Sequence, residues 1–343
     1  RQKVEIFLSR IKMNWSMSTL KICDHISNMN ERGLTHEHIE KLQKVAPTNK
    51  EAEEFKSTVS QLSPSDMMGR AALFWQELLN VDPFIKDRLD LWDFKLSFKA
   101  LIAEEQTKTD LLNECIRRIR NDDHFKRILA LALDIGNYVN GGKRQGQAYG
   151  FSIATLEKLD QFPRRRNADG SPVPTMLEYI YTLLEVKFPD SLSWTNNLSI
   201  LDDAISIELP VINANLKRFE TNIDLLYDRL QSADETQFSG KNFVHKMKPF
   251  YDDACKQLAT FTESVKRLNG DLKQLGEWFD VDDGENLEFL KQLNEFRKVF
   301  QSIGPRLVKR AKDAEKKAKR EANKTSKGGR RKNKKAPKYI GDS

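Results

Sequence analysis

Apolar residues recur at three- and four-residue steps through most of the chain, which is the spacing of an amphipathic helix. The strongest such segment starts at Phe125, after Asn121 or Asp122, either of which can cap a helix start. Gly141 and Gly142 follow it and allow the left-handed backbone that ends many helices. Its buried face is predicted to contain Phe125, Ile128, Leu129, Ala132, Ile135 and Val139.

Two later segments alternate steps of four and three, as a coiled-coil seam does. A polar break at 232–241 separates them, so we expect two long helices that fold back on each other. A further helix follows an acidic turn at 276–284. The apolar positions of the two long helices are Ile212, Leu216, Phe219, Ile223, Leu226 and Leu230, and then Met247, Tyr251, Ala254, Leu258, Phe261, Val265, Leu268, Leu272 and Leu275.

The connection that follows the first of these helices is rich in glycine. Gly146, Ala148 and Gly150 stand at alternate positions, so one side of the connection has almost no side chains. Such a backbone lets another surface approach closely. A glycine pair alone is also typical of any loop between two helices.

A phosphate-binding loop is the sharper alternative for this connection, and its chemistry does not fit. Gly136 to Lys143 is one residue too long, no Ser or Thr follows the lysine, and a helix stands where a strand is required. The sequence offers no Ser-His-Asp set and no paired carboxylates in a defined pocket. We therefore expect a protein that is not an enzyme and uses no cofactor.

A metal site is also not expected. His36 and His38 flank an acidic residue, and Cys23 lies two residues from His25. Residues two apart on a helix face different sides, and no third ligand appears nearby in the sequence.

The first residues form a helix whose buried face contains Val4, Phe7, Leu8 and Ile11. Ile6 lies about 200° from Val4 at about 100° per residue, so it is predicted on the opposite, exposed face. One exposed isoleucine is common and needs no explanation by itself.

Composition supports a mostly helical chain, of two domains or one elongated domain, with 343 residues and a net charge of +7. Fifteen basic and three acidic residues lie within 309–338, so this segment carries +12 and the remainder −5. Net charge therefore gives little support for nucleic-acid binding by the folded part. We expect residues 311–343 to be a basic, largely disordered tail that binds an acidic filament side, anionic lipid or RNA, or no fixed partner.

Three scattered cysteines favour reduced thiols over a disulfide framework. No apolar run reaches the roughly 20 residues that span a bilayer, and no signal-peptide pattern is present. We expect a cytoplasmic location.

The glycine-rich connection resembles, residue for residue, the signature of the formin homology 2 domain. In that signature a GN-aromatic-x-N-G-G turn leads through R-x-G-x-A-x-G-F into an L-x-K-L helix. Every signature position is present here. These positions are Gly136, Asn137, Tyr138, Asn140, Gly141, Gly142, Arg144, Gly146, Ala148, Gly150, Phe151, Leu156, Lys158 and Leu159.

The resemblance runs from Gln2 to about Arg310 and implies an all-α, elongated fold with a knob, long antiparallel coiled-coil helices and a post. It places the knob at about 1–100, the post and glycine-rich loop at about 101–205, and the coiled-coil and closing helices at about 206–310.

The resemblance also implies actin binding through two regions. Ile6 occupies the position of the isoleucine that projects from the knob of formins. Formins have a basic residue in the loop after the signature, and this sequence offers three, Arg164, Arg165 and Arg166, in a longer loop at 161–175. Which arginine takes the role stays open, and a plain solvated loop is equally compatible with any single one.

Formin domains of this kind nucleate actin filaments and stay at the fast-growing end as head-to-tail dimers, in which a tryptophan-bearing lasso of one copy enters the post of the other. The lasso, its linker and the proline-rich segment that recruits profilin are not in this sequence. We therefore expect a monomer that binds actin but assembles filaments poorly. The residues implied to receive a lasso are Gly136, Asn137, Tyr138, Asn140, Gly141, Gly142, Gly146, Gly150 and Phe151.

Two other classes of function stay open at this point. One is a coiled-coil scaffold without actin assembly activity. The other is an adaptor that binds nucleic acid or membrane through its basic tail.

Overall fold

The computed structural model describes residues 2–15, 17–61, 68–162, 166–167, 173–281 and 287–332. Every regular element in these ranges is a helix, which confirms the all-α prediction, and none of them has the length and apolar character needed to cross a bilayer. Two short 3-10 helices span Arg144–Gln147 and Pro189–Ser193. The α-helices are α1 (Gln2–Asn14), α2 (Thr19–Ser27), α3 (His36–Gln43), α4 (Asn49–Ser60), α5 (Arg70–Val81), α6 (Ile85–Asn121), α7 (Asp123–Val139), α8 (Ala154–Lys158), α9 (Met176–Lys187), α10 (Trp194–Asn197), α11 (Leu201–Ala204), α12 (Leu209–Ser232), α13 (Phe238–Trp278) and α14 (Glu288–Lys332).

The chain forms two compact units. The first contains residues 1–111 and 208–270, and the second contains 112–207 and 271–343. Two of the three boundaries fall inside long helices, α6 and α13, and the third lies between α11 and α12. The coiled-coil and closing segment expected at 206–310 is therefore divided between the two units.

In the first unit, phenylalanines join the amino-terminal part of α6 to α12 and α13. The ring of Phe98 lies 5.7 Å from that of Phe219 and 5.6 Å from that of Phe250. Edge-to-face contacts of this kind add to the burial of the rings. The predicted helical hairpin is present, because Phe219 pairs with Phe261 and Tyr227, farther along α12, pairs with the earlier Tyr251.

Helices α1 to α5 pack in the same unit, where a buried arginine of α6 fixes the end of α2. Arg88 donates to the carbonyls of Ile26 at 3.3 Å, Ser27 at 3.0 Å and Ser239 at 3.1 Å. Ser27 is the last residue of α2, and the last carbonyls of a helix have no partner within the helix, so this guanidinium satisfies the helix end. Burial lowers the pKa of Arg88, and the nearby carboxylate of Asp82 opposes that effect.

The second unit is built around Trp194. Its ring stacks on Phe125 of α7 at 5.2 Å and contacts Phe296 and Phe300 of α14 at 5.6 and 5.3 Å. These rings are fully or nearly fully buried. They hold α7, which leads into the glycine-rich loop, against α14.

A polar network reinforces the same packing. The buried Arg297 donates to the carbonyl of Thr195 at 3.1 Å and to the side chain of Asn294 at 2.9 Å, and it pairs with Asp202 at 2.6 Å. Lys298 lies 2.9 Å from the same carboxylate. Hydrogen bonds from Lys298, Asn294 and Arg297 lower the pKa of Asp202 to about 2.

Helix α14 corrects the expectation of a largely disordered tail from residue 311, because it continues to Lys332. Its first turns are anchored by buried apolar residues, and a nucleated helix extends easily through Ala, Lys, Arg and Glu. Residues 311–320 are exposed on all sides, and residues 333–343 lie outside the described ranges. The anchoring residues are Phe289, Leu290, Leu293, Phe296, Phe300 and Ile303.

We expect the unfolding free energy of the second unit to fall as the pH drops from about 4 to about 2. The pKa of Asp202 is about 2 in the folded chain and about 3.9 in an unfolded one. Folding therefore favours the ionised form, and this stabilisation is present above about pH 4 and is lost as the folded carboxylate takes up a proton.

Urea denaturation of the wild type and of Asp202→Asn, near pH 5 and again near pH 2.5, checks this. The substitution should flatten the pH dependence. Asp203→Asn, which removes the adjacent exposed carboxylate, is the matched control. Identical pH profiles for the wild type and Asp202→Asn would contradict the expectation.

Candidate functional site: an open apolar groove

Helix α7 forms one wall of the site. Of the two predicted caps, Asp122 is the one used, since its carboxylate accepts from the backbone N–H of Phe125 at 2.7 Å. Its other oxygen accepts from Asn197 at 3.1 Å. Phe125 and Ile128 anchor the first turns of α7 in the core, and the groove is lined by later turns of the same helix and its C-terminal cap, from Ala132 to Asn140.

The end of α7 turns the chain back along the helix. The N–H of Asn140 still bonds the carbonyl of Gly136 at 3.1 Å. Of the two glycines expected to end the helix, Gly142 has the left-handed conformation, with φ +78°, and Gly141 does not. The 3-10 helix that starts at Arg144 follows at once.

One side chain fixes the returning loop. The amide of Asn137 donates to the carbonyl of Ala148 at 2.9 Å, and its oxygen accepts from the N–H of Ala148 at 3.0 Å. The loop also passes very close to the helix end, because a Cβ on Gly146 would lie 2.4 Å from the carbonyl oxygen of Asn140. Glycine is required there by space.

Between the loop and the helices lies an open groove of about 470 Å³. A Cβ on Gly136 or on Gly150 would meet no atom within 4 Å, so the backbone itself forms part of the groove surface. Among the described residues that line it, Lys158 is the one that carries a charge. The described lining residues are Ala132, Leu133, Gly136, Asn137, Asn140, Ala148, Gly150, Phe151, Thr155, Lys158, Leu159, Phe162 and Met176.

Met176 also borders a second apolar depression, of about 640 Å³, together with Tyr138 and Tyr179. Tyr138 is 87 % exposed, and several further apolar side chains near the loop are exposed with it. A large apolar area in water is typical of a binding surface. The exposed apolar residues of this region are Tyr138, Val139, Tyr149, Phe162 and Tyr179.

The residues implied to receive a lasso separate into three groups. Gly136, Asn137, Asn140, Gly150 and Phe151 line the groove. Tyr138 lines the adjacent depression. The remaining three, Gly141, Gly142 and Gly146, shape the turn.

Ile6 lies in the first unit and is 46 % exposed, while Val4 and Leu8 on the other face of α1 are buried. The ring of Phe7 packs on Trp15 at 5.4 Å and on Phe74 at 6.0 Å, which fixes the orientation of α1. The side chain of Ile6 therefore does not belong to the buried core.

The basic loop is described only in part. Arg164 and Arg165 lie outside the described residues. Arg166 is exposed.

A cluster of potential metal ligands does occur among the described residues, and two of its members, Glu40 and Asp93, were missed by sequence reasoning. His36, Glu40 and Asp93 present ligand atoms within 4.8 Å of one another. Asp93 lies 57 residues from His36 along the chain, so local spacing could not reveal it. The imidazole of His36 already bonds Asp93 at 2.6 Å. Two of the three residues are exposed, and the contact is accounted for as an ion pair or hydrogen bond.

Two cysteines are chemically unreactive because they are buried. Burial raises the pKa values of the thiols of Cys23 and Cys115 to about 12. Neither thiol offers a nucleophile near neutral pH.

A family model described as Formin Homology 2 Domain matches residues 1–301. The chain belongs to the formin homology 2 family. The predicted family membership is thus confirmed over the greater part of the chain.

Known relatives agree with this assignment. The formin homology 2 chain is 28 % identical over 277 residues to formin-like protein 13 of Arabidopsis thaliana, covering 80 % of this chain and 21 % of the relative. It is 26 % identical over 325 residues to protein diaphanous homolog 3 of Homo sapiens, covering 93 % and 26 %. The chain therefore spans about a quarter of the length of the relatives it matches.

Sequence reasoning missed part of the groove of this formin homology 2 domain. Phe162 stands at the start of a segment predicted only as an exposed loop. Leu133 and Met176 were not predicted to line the groove, nor Tyr179 to line the adjacent depression. The signal for Phe162 was its three-residue step from Leu159, which is the spacing of residues on one helix face.

We expect Gly146→Ala to disturb the loop of the formin homology 2 domain and Gly150→Ala to leave it intact. The added methyl at 146 meets backbone atoms that cannot move aside cheaply, whereas at 150 it meets open space. Overpacking of this kind costs about 1–3 kcal/mol. Amide exchange at Ala148, measured by NMR, should accelerate in the first variant only, and equal exchange in both variants would refute this account of Gly146.

Proposed function

We propose that this chain is the actin-assembling core of a formin, and that it acts as a dimer at the fast-growing end of the filament. The observation that carries the proposal is the open apolar groove walled by the formin signature residues. A folded chain leaves few contiguous apolar surfaces in water unless a partner covers them. The partner here is a tryptophan-bearing segment of a second copy.

The groove suits a bulky aromatic side chain. The backbone at Gly136 and Gly150 lets a flat ring approach closely. Asn140 lines the same space and offers an amide oxygen to an indole N–H, which needs an acceptor when it is buried. Because Asn137 fixes the loop beforehand, little ordering entropy is lost on binding.

Actin is contacted through a different surface. Ile6 projects from α1 into water and provides an apolar contact in the first unit. The arginines at 164–166 provide a second contact, since a guanidinium can bind a carboxylate of an acidic partner in a forked geometry.

Dimerisation gives these contacts their effect. Linking two weak sites makes the second binding event intramolecular, so one half of the dimer holds the filament end while the other half moves to a new subunit. Nucleation and processive elongation both follow from this arrangement. No step requires a catalytic group or a cofactor, and the place of action is the actin cytoskeleton. Profilin joins only through a proline-rich segment elsewhere in a complete formin.

The exposed part of α14 favours a second candidate function. Residues 311–320 are solvent-exposed on all sides and carry a basic excess. Such a helix can attach to the acidic side of a filament, to anionic lipid or to RNA by salt-dependent attraction. An adaptor of this kind should lose its binding to filament sides, lipid or RNA when residues 311–343 are deleted, whereas filament-end activity should persist under the main proposal.

A coiled-coil scaffold, the remaining class, should have no filament-end activity in any variant.

We expect Ile6→Ala to reduce the rate of actin assembly by roughly tenfold or more while leaving the thermal midpoint nearly unchanged. Truncation of a central contact residue costs about 2 kcal/mol of binding, and an exposed position contributes little to the core. Pyrene-actin assembly with the intact dimeric protein measures the rate. Leu20→Ala, which truncates another exposed apolar residue of the first unit, is the control, and an equal loss in both variants would remove Ile6 from the actin contact.

We expect Gly136→Leu to block the groove and weaken the dimer of the intact protein by roughly 100-fold. The new side chain extends into the space that the partner segment would occupy, so the partner loses most of its apolar contact. Sedimentation velocity measures the dimer. Gly270→Leu is the matched control, because Gly270 is also helical and has no neighbouring atom around its Cβ position. If the Gly136→Leu dimer is as stable as that of the wild type, the groove is not the dimer contact.

A further inference from the structure

The two walls of the groove beyond α7 come from separate segments of chain. Leu159 and Phe162 precede the basic loop, and Met176 follows it. Two backbone hydrogen bonds join these walls, from Met176 to the carbonyl of Phe162 at 2.7 Å and from Leu177 to that of Leu159 at 3.1 Å. These bonds hold the two walls side by side, so their joint position beside α7 and the loop shapes the groove.

Each wall carries a carboxylate directly behind its lining residues. Asp160 lies between Leu159 and Phe162, and Glu178 lies two residues after Met176. Thr175 joins the two carboxylates, since its hydroxyl donates to Asp160 at 3.1 Å and its N–H donates to Glu178 at 3.0 Å. Glu178 is only 1 % exposed, so its charge requires a partner inside the protein.

Two arginines of α14 supply that partner charge. Arg306 binds Asp160 through both terminal nitrogens, one of them at 2.8 Å, and its Nε lies 3.0 Å from Glu178. Arg310, one turn later on the same face, pairs with Glu178 at 2.8 Å. Arg306 therefore contacts both walls at once. Burial alone would raise the pKa of Asp160, and the bonds from Arg306 lower it below its usual value.

Both arginines lie beyond the family match, which ends at residue 301. We propose that Arg306 and Arg310 are positioning residues that hold these two walls together in their binding position, so that the functional post extends to residue 310. Their consequence for filament assembly rests on the function proposed above, whereas their effect on the groove does not.

Amide exchange of the full chain, resolved by residue, tests the proposal without actin. In Arg306→Gln and Arg310→Gln, exchange at Met176 and Leu177 should accelerate roughly 10- to 100-fold, because a hydrogen bond to a charged group is lost. Exchange in the buried turns of α7 should not change. Arg306→Lys should give a smaller increase, since a lysine keeps the charge but cannot bridge both carboxylates.

Lys298→Gln is the matched control, because it removes an ion pair of the same helix with Asp202, which does not line the groove. Unchanged exchange at Met176 and Leu177 in both glutamine variants would overturn the proposal. An equal acceleration throughout the second unit would also overturn it, since that result indicates general destabilisation. Failure of the function proposed above would appear only in actin assembly and would leave these exchange rates as expected.

Discussion

The groove depends on the paired hydrogen bonds between the side-chain amide of Asn137 and the backbone of Ala148. A turn with almost no side chains has nothing of its own to pack, so its conformation must be fixed by backbone and side-chain hydrogen bonds. The side-chain amide of Asn137 donates to and accepts from the backbone of Ala148, as a peptide group of a neighbouring strand would do. These two bonds fix the distance between the loop and α7. The space between them stays open because Gly136 and Gly150 line it without side chains.

The loop is useful only if the helices behind it are rigid. Trp194 stacks on Phe125 of α7 and contacts two rings of α14, so the wall that carries Asn137 and the helix that carries Arg306 share one core. Buried aromatic rings give each helix a defined position. The charged groups of Asp160, Glu178, Arg306 and Arg310 then set the remaining wall. An apolar core thus positions the helices, and polar contacts at its edge position the binding surface.

Much of this arrangement follows from local sequence. The three- and four-residue steps predict α7 and the hairpin of α12 and α13. The pair Asn121 and Asp122 predicts the start of α7, and the angular position of Ile6 predicts its exposure. Contacts between distant residues do not follow. Asp160 and Arg306 are separated by 146 residues, and His36 and Asp93 by 57. A charged residue on a helix surface looks the same in sequence whether it faces water or a partner, so these pairs need tertiary structure to be recognised.

The exposed apolar residues make binding and stability separable in this chain. Tyr138 and Tyr149 contribute little to the folded core, because most of their surface stays in water, and nearly half of Ile6 is exposed as well. Their persistence on the surface is therefore not explained by folding. Each becomes favourable when a partner removes it from water, and the two compact units carry such residues separately. A protein built in this way can lose one surface contact and keep its fold, because the residues that make the contact are not the residues that fill the core.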